Sequence, residues 1–187
     1  MELTRNKYRG IGVVILIALA VGIWSQWDTS ASYSFPLTAG EQVKSWDYQG
    51  AYTGNSGLEA TAHAEITRLQ GLFGQEGYTD YELYISISNQ YELIGDGEGV
   101  YGNLLKALAI DAEKTGLAWH NMGKLMERLG AIKTARIAYD NMVRAQASLQ
   151  YQEVRLEFLK TRVPEDTEAI AQAQAQLDAT LGEYVIE

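Results

Sequence analysis

Ala118-Trp119-His120-Asn121-Met122-Gly123, then Leu129-Gly130, then Ala135-Arg136-Ile137-Ala138-Tyr139, is the stretch on which the fold turns. The same pattern stands 35 residues earlier. Tyr84, Ile87, Ser88, Tyr91, Ile94, Gly95, Val100, Leu104, Ala107 and Ala112 are answered by Trp119, Met122, Gly123, Met126, Leu129, Gly130, Ala135, Tyr139, Met142 and Ala147. A period of this size is long for one helix and suits a helix pair. Such a unit cannot bury its apolar face alone, so the spacing predicts an all-α stack of units.

Working outward, the register extends back to Trp46. From there Gly50, Ala62, Ile66 and Leu69 fall at the offsets of Gly123, Ala135, Tyr139 and Met142. The expected units are therefore about 43–80, 81–115 and 116–150. Beyond them Tyr151, Val154, Phe158 and Leu159, then Ile170, Ala173, Leu177 and Leu181, predict a terminal helix pair over 151–182, broken at Pro164, with Gln172, Gln174 and Gln176 on a polar outer face. Helix starts are expected at three capping boxes, Thr38 with Glu41, Ser56 with Glu59 and Thr79 with Glu82. Gly-rich turns at Gly54, Gly74 to Gly77 and Gly95 to Gly97 separate the helices.

The N-terminal region differs in kind. Residues 1–9 carry Arg5, Lys7 and Arg9, and Gly10 to Trp24 holds no charge. Extended to Trp27, the apolar segment is near the lower limit for crossing a hydrocarbon core of about 30 Å. Basic residues stay cytoplasmic and tryptophans favour the interface, so residues 10–27 predict a single anchor in the cytoplasmic membrane with the repeats outside. The same segment fits a signal peptide cleaved after Ala31, in which case the body is exported. Residues 28–37 are expected to be a linker, and 38–187 the helical domain.

The residues of 116–150 resemble the tetratricopeptide repeat, with Trp119, Gly123, Ala135 and Tyr139 at its large, small, small and aromatic positions. In the preceding unit Ser88, Val100 and Leu104 take the corresponding places. The resemblance implies a right-handed α-solenoid of helix pairs after the transmembrane helix. It implies that Gly123 admits the second helix closely and that Tyr139 fills the seam. The family's boundary proline is replaced by Ala112 and Ala147, so the boundary helices are expected to run on. The resemblance also implies a concave groove lined by first helices, here Glu82, Ile85, Asn89 and Glu92, then Leu117, His120, Asn121, Lys124 and Glu127. Asn89 and Asn121 match two residues of a carboxylate clamp known in the family. Ile85 stands where its Lys would be, so that clamp is incomplete.

Composition narrows the chemistry. The 187 residues are 47% hydrophobic, with 2 prolines and no cysteine, which excludes disulfides, cysteine-bound zinc and thiol catalysis. The first 24 residues carry +2, so with a total of −9 the rest holds −11, a balance that repels nucleic acid and anionic lipid headgroups. His63 and His120 alone make no metal site. Gly95-Asp96-Gly97-Glu98-Gly99 lacks the strand and Lys-Ser/Thr of a phosphate loop and the ligand count of a calcium loop. Glu41 with Asp47, and Glu153 with Glu157, are carboxylate pairs of the sort that scattered acidic residues produce, with no pocket to single them out.

The expectation is thus a membrane-anchored adaptor, not an enzyme, with no catalytic residue, cofactor or metal. It would bind a protein or peptide through Ile85, Asn89, Leu117, His120, Asn121 and Lys124. The alternative is a structural or assembly protein that acts by self-association as a homo-oligomer.

Overall fold

Polar side chains at helix entrances set where the helices begin. The computed structural model describes residues 33–113 and 115–184, and these form seven helices: α1 (Ser56–Gln70), α2 (Asp80–Ile94), α3 (Gly97–Ile110), α4 (Leu117–Arg128), α5 (Ile132–Ala145), α6 (Leu149–Arg162) and α7 (Thr167–Tyr184). Asn55, Thr79, Asp96 and Ser148 cap α1, α2, α3 and α6 by accepting from the amides of Leu58, Glu82, Gly99 and Tyr151. Asp166 does the same for α7, through the Ala169 amide at 3.0 Å. The expected box at Thr79 and Glu82 is in place. That at Ser56 moves back one residue, since Asn55 is the cap and Glu59 accepts from the Gly54 amide at 2.8 Å.

Two helices lack a cap of their own. Gly116 before α4 and Ala131 before α5 carry no side-chain acceptor and make no capping hydrogen bond. Each is capped from a distant part of the chain. The Tyr81 hydroxyl of α2 accepts from the Ala118 amide of α4 at 3.3 Å. Glu41 accepts at the start of α5 from the amides of Lys133 (2.6 Å) and Thr134 (2.9 Å) and from the Thr134 hydroxyl (2.6 Å).

Consecutive helices pack on one another from α1 to α7, and the substantial packing is between neighbours in the chain. Such nearest-neighbour stacking is what units with one apolar face each require. Leu104, Met122, Met126, Met142 and Leu159 are wholly buried along the main core, each stabilising it by about 1.5–3 kcal/mol. A second cluster, Ile66, Leu69, Leu83 and Ile87, joins α1 to α2. Gly95, with φ 83°, ends α2 in the left-handed conformation and lets α3 turn back at once. Pro164 separates α6 from α7, as its position predicts.

The register traced back to Trp46 does not make a helix. Residues 33–55 hold no helical residue, and a lone antiparallel bridge joins Asp47 to Asp96; among the described residues there is no strand. The reason lies in the hydrogen bonds. The amides of Tyr48 and Tyr52 donate to the carbonyls of Gly95 (3.0 Å) and Leu93 (2.7 Å), not to their own chain four residues back. Gly50 is small for the same reason, because a β-carbon there would lie 2.4 Å from the Leu93 carbonyl oxygen.

The segment is a strap that crosses α2, α3, α4 and α5. Tyr33 and Phe35 meet Trp119 edge-on at 5.9 and 5.1 Å. Tyr101 donates to the Phe35 carbonyl at 2.7 Å. Thr38 and Glu41 bind the start of α5, and Trp46 reaches the α2–α3 turn, where its carbonyl accepts from Gly97 at 3.0 Å. Residues 33–37 are therefore packed structure and not a linker, with Phe35 buried in the core. Likewise α3 and α5 end at Ile110 and Ala145, before Ala112 and Ala147, so they do not run on past the unit boundaries. The Ala112 carbonyl instead accepts from the Trp119 indole at 2.8 Å.

The basic end at 1–9, the anchor at 10–27 and residues 28–32 lie outside the described residues. Among the described residues no helix is long and apolar enough to cross a membrane.

Candidate partner-binding face

Residues three and four apart on a helix share a face, and this places Glu82, Asn89 and Glu92 together on α2 and Leu117, His120, Asn121, Lys124 and Arg128 together on α4. The two rows meet side by side. The Asn121 side-chain amide donates to the Asn89 carbonyl oxygen at 3.4 Å. One turn on, the Glu92 carboxylate takes both Lys124 at 3.4 Å and Arg128 at 3.3 Å. The Arg128 guanidinium also lies 4.7 Å from the centre of the Tyr48 ring, which holds it at one edge of the face.

These contacts are long and open to water. Exposed pairs of this kind contribute about 0–1 kcal/mol, so an incoming polar group can replace them at little cost. His120 is more enclosed, with its ring edge-on to Tyr151 of α6 at 5.7 Å. Burial lowers its pKa below the ordinary histidine value, Lys124 lowers it further, and Glu92 opposes them. Its imidazole is neutral at pH 7 and able to donate from one nitrogen and accept at the other.

Five of the six residues singled out from sequence therefore lie on the surface of α2 and α4. The sixth does not. Ile85 is 6% exposed and belongs to the main core, because the α2 face that meets α3 and α4 includes it. A side chain in that place cannot touch a partner. Leu117, the first residue of α4, sits at the end of the row and is 40% exposed.

Farther along, between α4, α5 and α6, Glu127, Glu153 and Glu157 rim a cleft of 360 Å³ that Tyr139, Val154 and Phe158 also line. Glu127 is held there by the Tyr139 hydroxyl at 3.0 Å and by Arg162 at 2.6 Å. Burial, together with the Glu127 charge, pushes the Tyr139 phenol well above its ordinary pKa, so it stays a donor. The sequence offered one signal for this cleft, the one-turn spacing of Glu153 and Glu157. Only the packing of Phe158 on Tyr139, with ring centres 4.8 Å apart, shows the apolar surface between them. A larger hollow of 890 Å³ lies elsewhere, among Glu41, Lys133, Ile137, Arg162, Val163 and Asp166 at the entrance of α5.

The described chain is an all-α protein of consecutively packed helices that carries a polar face on α2 and α4. No family model, no curated protein and no solved structure matches it.

Proposed function

We propose that this chain is a membrane-anchored, tetratricopeptide-like adaptor that holds a protein or peptide partner on the face of α2 and α4, outside the cytoplasm. The observation that carries the proposal is the row of exposed polar groups joined by long contacts, Asn89 to Asn121 and Glu92 to Lys124 and Arg128. Groups so placed are solvated, adaptable and already aligned. An extended partner backbone finds donors and acceptors at Asn89, His120 and Asn121, a partner carboxylate finds Lys124, and apolar side chains find Leu117. Support for the repeat comes from Gly123, whose missing β-carbon leaves room for the Tyr139 ring.

The test is a variant with Asn89→Ala, His120→Ala and Lys124→Ala together. It should lose the partner that the full chain retains while circular dichroism stays helical. Retained binding would sink the assignment of the face. Sedimentation of the full chain in detergent separates this adaptor from the self-association alternative, which requires a concentration-dependent oligomer.

A further inference from the structure

The cleft between α4, α5 and α6 carries charge that its own helices leave unmatched. Its floor is Val154 with the rings of Tyr139 and Phe158, and Glu127, Glu153 and Glu157 stand at its rim. Glu127 is fully engaged: one carboxylate oxygen accepts from the Tyr139 hydroxyl at 3.0 Å and the other from Arg162 at 2.6 Å. Glu153 and Glu157 are exposed, and among the described residues neither side chain has a hydrogen-bond or ion-pair partner.

Cations are close by, and none serves these two. Arg155 of α6 is bound to Asp140 at 2.6 Å, Lys160 to Gln174 at 3.1 Å, and Arg162 to Glu127. Glu153 and Glu157 stand one helical turn apart, a spacing at which like charges destabilise a helix. A cation from outside relieves that repulsion. Their β-carbons are about 5–6 Å apart, so a single guanidinium can touch both carboxylates. Its aliphatic stem then lies on Val154 and Phe158, as long basic side chains do on apolar surface. A cleft of 360 Å³ is near the small end of binding pockets, which suits one side chain and not a folded element. Arg162 on Glu127 makes the same pairing within the chain.

We propose that this cleft binds an arginine side chain from a basic segment of the partner protein, with the guanidinium between Glu153 and Glu157 and the stem on Val154 and Phe158. The proposal rests on the adaptor reading above for its partner, while the chemistry of the cleft is its own. Glu127 follows Lys124 by three positions on α4, and Tyr151 of α6 meets His120, so the cleft continues the α2 and α4 face toward α6. The partner is thereby given an order of charge, a carboxylate at Lys124 and a cation beyond it.

The probes are acetyl-Ala-Arg-Ala-amide and its citrulline counterpart, which keeps the shape and loses the charge. Added to the full chain in dodecyl maltoside micelles, the arginine peptide should shift the NMR signals of the Val154 methyls and the Phe158 ring and bind about ten-fold more tightly than the citrulline peptide. Glu153→Gln with Glu157→Gln should abolish that preference. Because it also removes the like-charge pair, this variant should melt no lower than the native chain, which separates lost binding from lost fold. Glu76→Gln with Glu98→Gln makes the same change of net charge at exposed positions outside the cleft and should keep the preference. Equal affinity for the two peptides, unmoved signals at Val154 and Phe158, or an unchanged preference in the E153Q/E157Q chain overturns the proposal. The peptide preference does not depend on the partner. A chain that shows it but crosslinks no protein from Asn89 or Lys124 keeps the cleft and loses the α2 and α4 face; a chain that crosslinks there without the preference loses the cleft alone.

Discussion

Glu41 and Thr134 stand 93 residues apart in sequence and share two hydrogen bonds, the carboxylate accepting from the Thr134 amide at 2.9 Å and from its hydroxyl at 2.6 Å. With the Lys133 amide also bound, Glu41 supplies the N-terminal cap that Ala131 cannot give to α5. Replacing it by alanine should cost about 1–2 kcal/mol, the range of a lost cap. Urea unfolding of the full chain would show a lower midpoint with an unchanged slope, and Glu41→Gln should recover part of the loss.

The same carboxylate makes the strap acid-sensitive. Partial burial raises its pKa, but the hydrogen bonds from Thr134 and Lys133 and the Lys133 charge outweigh that, and the folded value lies below the ordinary 4.5. A depressed folded pKa stabilises the fold above the unfolded value and ceases to do so as pH falls through the folded one. The stabilisation from Glu41 is thus full above about pH 5 and fades below 4.5. Unfolding midpoints measured down this range should converge for the native chain and Glu41→Gln.

These contacts mark where the sequence was legible and where it was not. The helix pairs α2 with α3 and α4 with α5 were visible because a 35-residue register fixes spacing along the chain. Thr38 and Glu41 have capping-box spacing, and Glu41 does cap a helix, but its target is reached only through the folded stack. Gly50 matched its repeat offset for an unrelated reason, the close approach of the strap to the carbonyls of Glu92 and Leu93, and Trp46 packs on the Tyr101 ring of α3 instead of starting a helix. Ile85 fell at a groove position by offset, and its burial follows from an α2 that is apolar over a wide arc, with Leu83, Ile85 and Ile87 all buried. Local pattern reports spacing; it does not report which distant segment satisfies a donor.

Two glycines with opposite surroundings test the seam. A β-carbon at Gly123 would lie 2.6 Å from the Tyr139 ring, so Gly123→Ala must displace that ring and should destabilise by about 1–3 kcal/mol. Gly102, inside α3, has nothing within 4 Å of the same position. Gly102→Ala should stabilise by about 0.5–1 kcal/mol through helix propensity alone. Thermal melts of the two variants should shift in opposite directions.

His120 offers a readout of the face itself. Burial first, then Lys124, holds its pKa below the ordinary 6.5, with Glu92 opposing. The folded state therefore resists protonation, and stability intact above about pH 6.5 declines as pH falls below it. The imidazole signals in an NMR titration should move at a pH below 6.5, and Lys124→Met should raise that midpoint.

The central claim, that a partner docks on the face of α2 and α4, is tested most directly by photo-crosslinking in intact cells. A benzophenone amino acid placed at Asn89 or at Lys124 of the full chain should trap the same protein, and one placed at the exposed Ile137 of α5 should not. No adduct from either position, or an equal adduct from Ile137, would contradict the account.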